Sequence, residues 1–453
     1  MAEPCFRARY WNLLPLQSVG LFLFLSIASS IAGTITAEEP NKLPGVIELS
    51  RALNEFPQLP AIAPAPHDWP WWRGPHLDNH ASASVALPGL TERSIRWQHE
   101  IPGRGHASPL ICGDLVVLAT ADNEQQVHSL LARSVSTGDP VWQTDLHRGG
   151  FQKDSHRNNS HASATPAFDG QRFFTAFIHE RGLWVSAVDT HGKILWQTKA
   201  GEFDALYGFG MAPALWGPLV IVNGDNDRPG AFLAAIHRQT GEIVWRIKRP
   251  NIDTYGTPIV VNLAGRDQLL LGGSGSMCSY DPATGKLLWK CAGPTAETTA
   301  NTVAFSKDSV FVTGGYPKPY IAMGIRADGN RDVDDTHVLW TNQRAMSYVP
   351  SPLYSDGLLY VLNDDGVITC LDEAKGKPVW SKRLGGDYSA SPLLVGNKIV
   401  LCSEQGLVTA IAAGRSFKEL EQLDLAEPIF ATPAITPAGL FVRTLKKLIR
   451  FRD

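Results

Sequence analysis

One six-residue phrase returns along the whole chain and limits what it can fold into more than any other feature. It reads Thr137-Gly138-Asp139-Pro140-Val141-Trp142, then His191-Gly192-Lys193-Ile194-Leu195-Trp196, then Thr240-Gly241-Glu242-Ile243-Val244-Trp245. It comes back as Thr284-Gly285-Lys286-Leu287-Leu288-Trp289 and Lys375-Gly376-Lys377-Pro378-Val379-Trp380, and Trp97 and Trp340 hold the same place with altered lead-ins. The seven tryptophans are separated by 45, 54, 49, 44, 51 and 40 residues. A second mark, a small residue followed by proline, opens each unit at Ser108, Thr165, Ala212, Thr257, Ser351, Ser391 and Thr432, and Thr302-Val303 fills the remaining place. The two series together count eight units.

Within a unit, short apolar runs alternate with turn residues. After Ser351-Pro352 the runs lie around Leu353, Leu358, Val367 and Val379, separated by Asp356-Gly357, Asp365-Gly366 and Lys375-Gly376. Asp-Gly pairs between such runs mark hairpins because both residues tolerate positive φ. Each unit is therefore a four-stranded antiparallel meander. A period of 40 to 54 residues with one tryptophan per unit suits a propeller blade and does not suit helical or leucine-rich repeats. The chain is thus expected to be all-β, an eight-bladed β-propeller of four-stranded antiparallel blades.

The ends complete one another. Trp97 stands in an outermost-type strand with no three strands before it, while the segment after Pro433 supplies three strands and no tryptophan. The Trp97 strand should close the ring by completing the C-terminal blade. Leu420 takes the tryptophan's place in the blade before it.

Ahead of the ring, Arg7 and Arg9, an apolar run from Val19 to Ala28 and the small residues Ser30-Ile31-Ala32 have the layout of a secretory signal, expected over residues 1–32. Residues 33–67 read as a Pro-rich linker with one short helix near Val46 to Leu53, and residues 68–453 as the propeller. Asp68-Trp69-Pro70-Trp71-Trp72-Arg73-Gly74-Pro75 is too apolar for a free tail and should dock on the ring. A periplasmic or secreted location follows from the signal reading. Lys plus Arg number 41 against 44 Asp plus Glu, a net charge of -3, so nothing points to nucleic acid. No second apolar run points to a transmembrane span. After Cys5, the cysteines Cys112, Cys278, Cys291, Cys370 and Cys402 fall in predicted strands at no metal-ligand spacing and read as small buried hydrophobes, with a Cys278–Cys291 disulfide as the one alternative.

The Thr-Gly-x-x-x-Trp phrase with its Ser/Thr-Pro starts, over about Trp97 to Asp453, resembles the pyrroloquinoline-quinone-type propeller repeat. That family includes the quinoprotein alcohol dehydrogenases and the propeller lipoprotein of the outer-membrane β-barrel assembly machine. Residues 68–75 with Asn158-Asn159-Ser160-His161-Ala162-Ser163 are similar to exported bacterial quinone-repeat proteins without assigned function. In the dehydrogenases the resemblance implies a quinone held between a tryptophan and a ring formed by two adjacent cysteines, beside a calcium bound by Glu, Asn and Asp. This sequence has no adjacent cysteine pair and no Cys-x-x-Cys-His. No cofactor and no metal are therefore expected, with the quinone as the exception to test. Asp225, Asp227, Asp364 and Asp365 sit where hairpin turns call for Asp on backbone grounds alone.

If the strands run outward from the axis, the loops entering each Ser/Thr-Pro strand share one face around a central funnel. Those loops carry Arg104, His106, Tyr207, Tyr255, Tyr348, Asp387 and Tyr388, and the longest, residues 149–165, carries His156, Arg157, Asn158 and His161. Tyr and Arg are residue types that anchor interfaces. The chain thus reads as a non-enzymatic binding or scaffold propeller of the cell envelope. Its partner would be a protein segment or an envelope polymer, and the alternative is a quinone-dependent dehydrogenase or other envelope enzyme on the same fold. Replacing His156, Arg157 and His161 together is expected to spare the fold.

Overall fold

The turn residues act as their chemistry requires, and each unit becomes a meander of short hydrogen-bonded strands. The computed structural model describes residues 46–49 as backbone, and 52–153, 156, 158–205, 207–273, 275–293, 299–314 and 321–453 in full. The signal segment, residues 33–45 of the linker, Arg157 and Glu297 lie outside the described residues. The described residues belong to one unit, Leu43–Asp453. Its strands form eight sheets, one per repeat, arranged as an eight-bladed β-propeller. Numbered from the N-terminus, blade 1 comprises Leu110–Cys112, Leu115–Asp122, Val127–Ser134 and Pro140–Arg148. Blade 2 comprises Ala167–Phe168, Arg172–His179, Gly182–Asp189 and Ile194–Glu202. Blades 3 to 7 follow in the same order, inner strand first, beginning at Ala214, Ile259, Ala304, Leu353 and Leu393. Blade 8 takes Ala434–Thr436, Gly439–Arg443 and Lys447–Phe451 from the C-terminus and Ile95–Glu100 from the N-terminus, with Trp97 opposite Arg450. That pairing closes the ring.

The repeated phrase proves to be one half of each joint between blades. Its glycines adopt positive φ, 78° at Gly138, 87° at Gly192, 76° at Gly241 and 70° at Gly285. At each of them a Cβ would stand 2.8 to 3.0 Å from the ring of the preceding blade's tryptophan, Trp97, Trp142, Trp196 or Trp245. Glycine serves both purposes, the left-handed turn and the bare surface on which the indole lies. The indole N–H then donates to a turn carbonyl of the next blade: Trp97 to Val135, Trp142 to Thr190, Trp196 to Arg238, Trp245 to Pro282, Trp340 to Glu373 and Trp380 to Gly414, at 2.6 to 3.2 Å. Trp289 departs from the rule and donates to Gln268 Oε1 at 2.7 Å in its own blade. The following hairpin is enlarged there, and Arg331–Asp332 pairs in parallel with Trp289 and Lys290 as a fifth strand.

The Ser/Thr-Pro mark builds a second circuit nearer the axis. The N–H of Ser108 donates to Thr165 Oγ1, and Ala212, Thr257, Thr302, Ser351 and Ser391 each donate to the hydroxyl at the same position one blade on, at 2.9 to 3.0 Å. Ala212 has no hydroxyl to continue the relay from blade 2. At the closure, Arg450 Nη1 donates to the carbonyls of Val135 and Ser136, joining blade 8 to blade 1.

Two features differ from the sequence expectation. Residues near Val46 to Leu53 form not a helix but a strand, Val46–Leu49, with a single 3₁₀ turn at Leu53–Glu55. The strand pairs antiparallel with the outer strand of blade 3, Glu48 opposite Arg246, because that edge offers unpaired backbone groups that a local helix would leave open. The five described cysteines are all buried and free. Cys278 stands opposite Lys290 and Cys291 opposite Met277, so the two thiols point to opposite faces of blade 4 and cannot bond.

Candidate functional site

The Trp-rich segment closes one end of the axis. Trp69 exchanges backbone hydrogen bonds with Ile111 of blade 1 (2.7 and 3.1 Å), and Pro70 accepts from Phe168 of blade 2 at 2.8 Å. Trp71 and Trp72 line a cavity of about 180 Å³ with the inner strands of blades 3 and 4. Arg73 Nη1 then donates to Val303 at 2.6 Å and Nη2 to Pro352 at 3.0 Å, entering blades 5 and 6. Asn79 accepts from Leu394 of blade 7 at 2.9 Å. A segment that touches the innermost strands of seven successive blades must lie across the axis. Arg73, Leu77 and Asn79 have φ of 69°, 60° and 63°, and Gly74 admits no Cβ against the Trp69 ring, which is how so short a segment coils into the opening. Burial lowers the Arg73 pKa to about 10, partly offset by Asp78.

The loops entering the inner strands gather at the other end. Turns between second and third strands join them: Asp364 accepts from the N–H groups of Tyr348 and Val349 at 2.9 and 3.0 Å, and Asp387 O accepts from Glu404 at 2.8 Å. Burial pushes the Asp364 carboxyl up to about 6 against the pull of those two donors. The loops from blades 2, 3 and 4 converge as rings. His156 lies 6.1 Å from Tyr207 and Tyr207 6.3 Å from Tyr255, both edge-on. His156 and Tyr207 are exposed, and Tyr255 is half-buried beside Asp253, with burial and that carboxylate both raising its pKa. The cluster is pinned from below by Asn159, whose Nδ2 donates to the Tyr207 carbonyl at 2.7 Å while its Oδ1 accepts from Ser160 N–H at 2.7 Å.

Arg104, His106 and His161 lie beside this cluster, joined to it where the His106 N–H donates to Ser160 Oγ at 3.2 Å. Arg104 pairs its backbone with Ala121. His106 stacks on Phe430 with centroids 4.4 Å apart and is driven down to about 3 by burial first, then by Arg104 and Arg443. Arg443 is fully buried, donates from Nη1 to Ala107 and Ala119 at 3.1 and 2.8 Å, and is itself lowered to about 9 by burial. His161 packs on Phe151 at 4.3 Å.

Of the residues singled out from sequence, the structure brings together His156, Tyr207 and Tyr255, with Arg104, His106 and His161 next to them. Asn158 is exposed on the same loop, its N–H bonded to His156 Nδ1 at 3.3 Å, and Tyr348 is half-buried beside Tyr255. Asp387 is exposed and bonded to Gln405 Nε2 at 3.0 Å. Tyr388 corrects the expectation: it is 3% exposed, packed among Leu353, Tyr360 and Leu401 between blades 6 and 7, because an inward turn of the chain at that position points its ring into the core. His161 is half-buried, whereas His156 is exposed. Asn159 and Phe430 stand on the loops that the sequence places at the funnel, whereas Arg443 was not singled out, because it lies within the strand Gly439–Arg443 of blade 8, where no local pattern marks its role.

An eight-bladed propeller with one end of its axis sealed and a polar, aromatic funnel at the other defines the class. Within it, the chain belongs to the family described as outer membrane protein assembly factor BamB, whose profile matches residues 125–331 and 328–416. It is 23% identical to the outer membrane protein assembly factor BamB of Burkholderia pseudomallei over 323 residues, 68% of this chain and 64% of that protein. It is 26% identical to methanol dehydrogenase [cytochrome c] subunit 1 of Methylorubrum extorquens over 148 residues, and so spans only 23% of that relative's length. Among solved structures, BamB from Moraxella catarrhalis superposes with a TM-score of 0.57 at 12% identity, covering 79% of this chain and 98% of that one. A europium-containing methanol dehydrogenase superposes at 0.63 and 14%, covering 83% and 89%. These superpositions carry the fold.

The residues present do not match the quinone's requirements as the resemblance states them. The five described cysteines are buried in separate strands, and no two are adjacent. Among the described residues no group of three or more His, Cys, Asp or Glu is arranged to hold a metal ion. Of the carboxylates singled out in the sequence, Asp225 is already engaged by Arg249 at 2.8 Å and Asp364 by two backbone donors.

Proposed function

We propose that this chain is a non-enzymatic binding propeller of the cell envelope, periplasmic or secreted, which recognises an extended protein segment or an envelope polymer at its funnel. One observation carries the reading: three loops from different blades deliver His156, Tyr207 and Tyr255 to a single open rim, while the other end of the axis is sealed by the chain's own residues 69–79. The result is a cup with a rigid floor. Tyr rings offer large contact area and a polar tip at low conformational cost, which suits a polar polymer or a peptide better than a small apolar substrate. Kinship with an outer membrane assembly factor supports a protein partner.

The second reading, a quinone-dependent dehydrogenase, is favoured by the match to methanol dehydrogenase. The test of the first is quantitative capture from an envelope extract by immobilised wild-type protein and by the variant H156A/N158A/Y207A. Both should show the same circular dichroism and melting, because the three side chains are exposed. Loss of the captured partner only in the variant supports the funnel. Equal capture by both moves the site elsewhere.

A further inference from the structure

Four histidines meet where blade 1 abuts blade 2, and the funnel residues described above make no use of three of them. His128, on Val127–Ser134, is fully buried, its ring stacked on Phe151 (centroids 4.2 Å) and 4.7 Å from Phe177. His147, on the outer strand of the same blade, stands edge-on to it at 6.1 Å and stacks on His179 of blade 2 at 4.7 Å, with Trp184 5.7 Å away. His161 closes the group at 6.3 Å from His128. Neither ring nitrogen of His128, nor Nε2 of His147, has a hydrogen-bond partner. Buried polar atoms are almost always paired, so three orphan nitrogens in one cluster call for an explanation.

We propose that this junction is an acid-sensitive release point: protonation of His128 and His147 detaches the chain segment carrying Phe151 and His161 from blade 1, while the remaining blades stay folded. The proposal holds whatever the funnel binds.

Among the described residues, nothing gives an imidazolium at His128 or His147 a counter-charge. Among the described residues, the charged groups at the cluster are Glu180, whose carboxylate is 4.0 Å from His179 on the solvent side, and Arg104, which acts on His161. Asp145, on the strand of His147, is taken up by Ser129 and Arg148. No carboxylate pairs with His128 or His147 among the described residues. The closed junction therefore holds both rings neutral, His128 lowered to about 2 and His147 to about 4, by burial first and by the neighbouring histidines second. His161 is lowered for the same reason, with Arg104 adding to it.

The sign follows from linkage. A histidine whose pKa is depressed in the closed state stabilises that state fully above its free value near 6.5, and the stabilisation is lost as pH falls below it. Each such histidine favours opening about tenfold per pH unit below 6.5, so two together give roughly a hundredfold at pH 5.5.

Hydrogen–deuterium exchange on the full chain tests this, with rates corrected for intrinsic pH dependence. Between pH 7.5 and 5.5, residues 149–165 should open about a hundredfold more, while Leu407–Ala412 of blade 7 keeps its protection. His128→Phe fills the slot between Phe151 and Phe177 without titrating and should cut the gain to about tenfold. Unchanged protection of residues 149–165 in wild type, simultaneous loss around the whole ring, or a full gain in the variant would each overturn the proposal. Should the variant not fold, ring-nitrogen NMR of wild type decides: two histidines must stay neutral below pH 6.5 until the segment opens, and four that titrate near 6.5 with the segment still protected contradict it.

Discussion

Replacing Gly241 with alanine isolates the joint that the repeated phrase builds. Gly241 has φ of 76°, and a Cβ there would lie 2.9 Å from the ring of Trp196, whose own N–H is held by Arg238. Two costs add. A side chain in the left-handed region costs about 1–2 kcal/mol, and forcing a methyl into a packed contact costs about 1–3 kcal/mol. The sum is roughly 2–5 kcal/mol. Gly265 is the matched control, since its φ is 78° and a Cβ there would meet nothing within 4 Å. Gly265→Ala should show only the backbone cost of about 1–2 kcal/mol. Urea unfolding followed by tryptophan fluorescence gives both values from the midpoint shift at constant slope. A third variant, Trp196→Leu with Gly241→Ala, should cost less than the sum of its two single changes, because the smaller side chain vacates the methyl's space. If Gly241→Ala costs no more than Gly265→Ala, the indole contact is not what the glycine protects.

Other consequences can be checked with similar means. Trp245 is fully buried with its indole on Gly285 and its N–H on Pro282, so Trp245→Ala should cost about 3–5 kcal/mol in the same assay. Arg73→Ala strips the carbonyls of Val303 and Pro352 of their donor and should cost about 2–4 kcal/mol, without altering capture at the funnel on the opposite face. Deleting residues 440–453 removes two strands of blade 8, the partner of the Trp97 strand included, and should abolish the cooperative thermal transition. The five described cysteines are buried, with Cys291, Cys370 and Cys402 pushed up to about 12, so a thiol reagent should label them only after denaturant is added.

The fold was legible because a repeat reports the same structure eight times, and because each mark has a mechanical duty: the glycine receives an indole, and the Ser or Thr hydroxyl receives a neighbouring N–H. Even the closure could be read, since a lone Trp97 strand and a blade lacking one have a single mutual solution. The site was legible in part. His156, Tyr207 and Tyr255 follow from placing their loops on one face, but whether a loop side chain turns outward depends on one or two dihedral angles, and Tyr388 turned inward. The histidine junction draws on two strands of one blade, a strand of the next and a loop, with no spacing to betray it. The path of residues 69–79 was equally hidden: their apolarity announces burial, whereas the route across seven blades rests at its ends on backbone bonds that any residue could make, and in its middle on Arg73 reaching two distant carbonyls.

The proposed function stands or falls on whether the funnel binds without reacting. The full chain should be titrated with pyrroloquinoline quinone in the presence of calcium, with the absorbance of the protein-bound fraction recorded and alcohol-dependent reduction of a redox dye followed. The arrangement of cysteines and carboxylates predicts no stoichiometric chromophore and no dye reduction above background. One equivalent of tightly bound quinone that reduces dye on addition of alcohol would contradict it and make the funnel an active site.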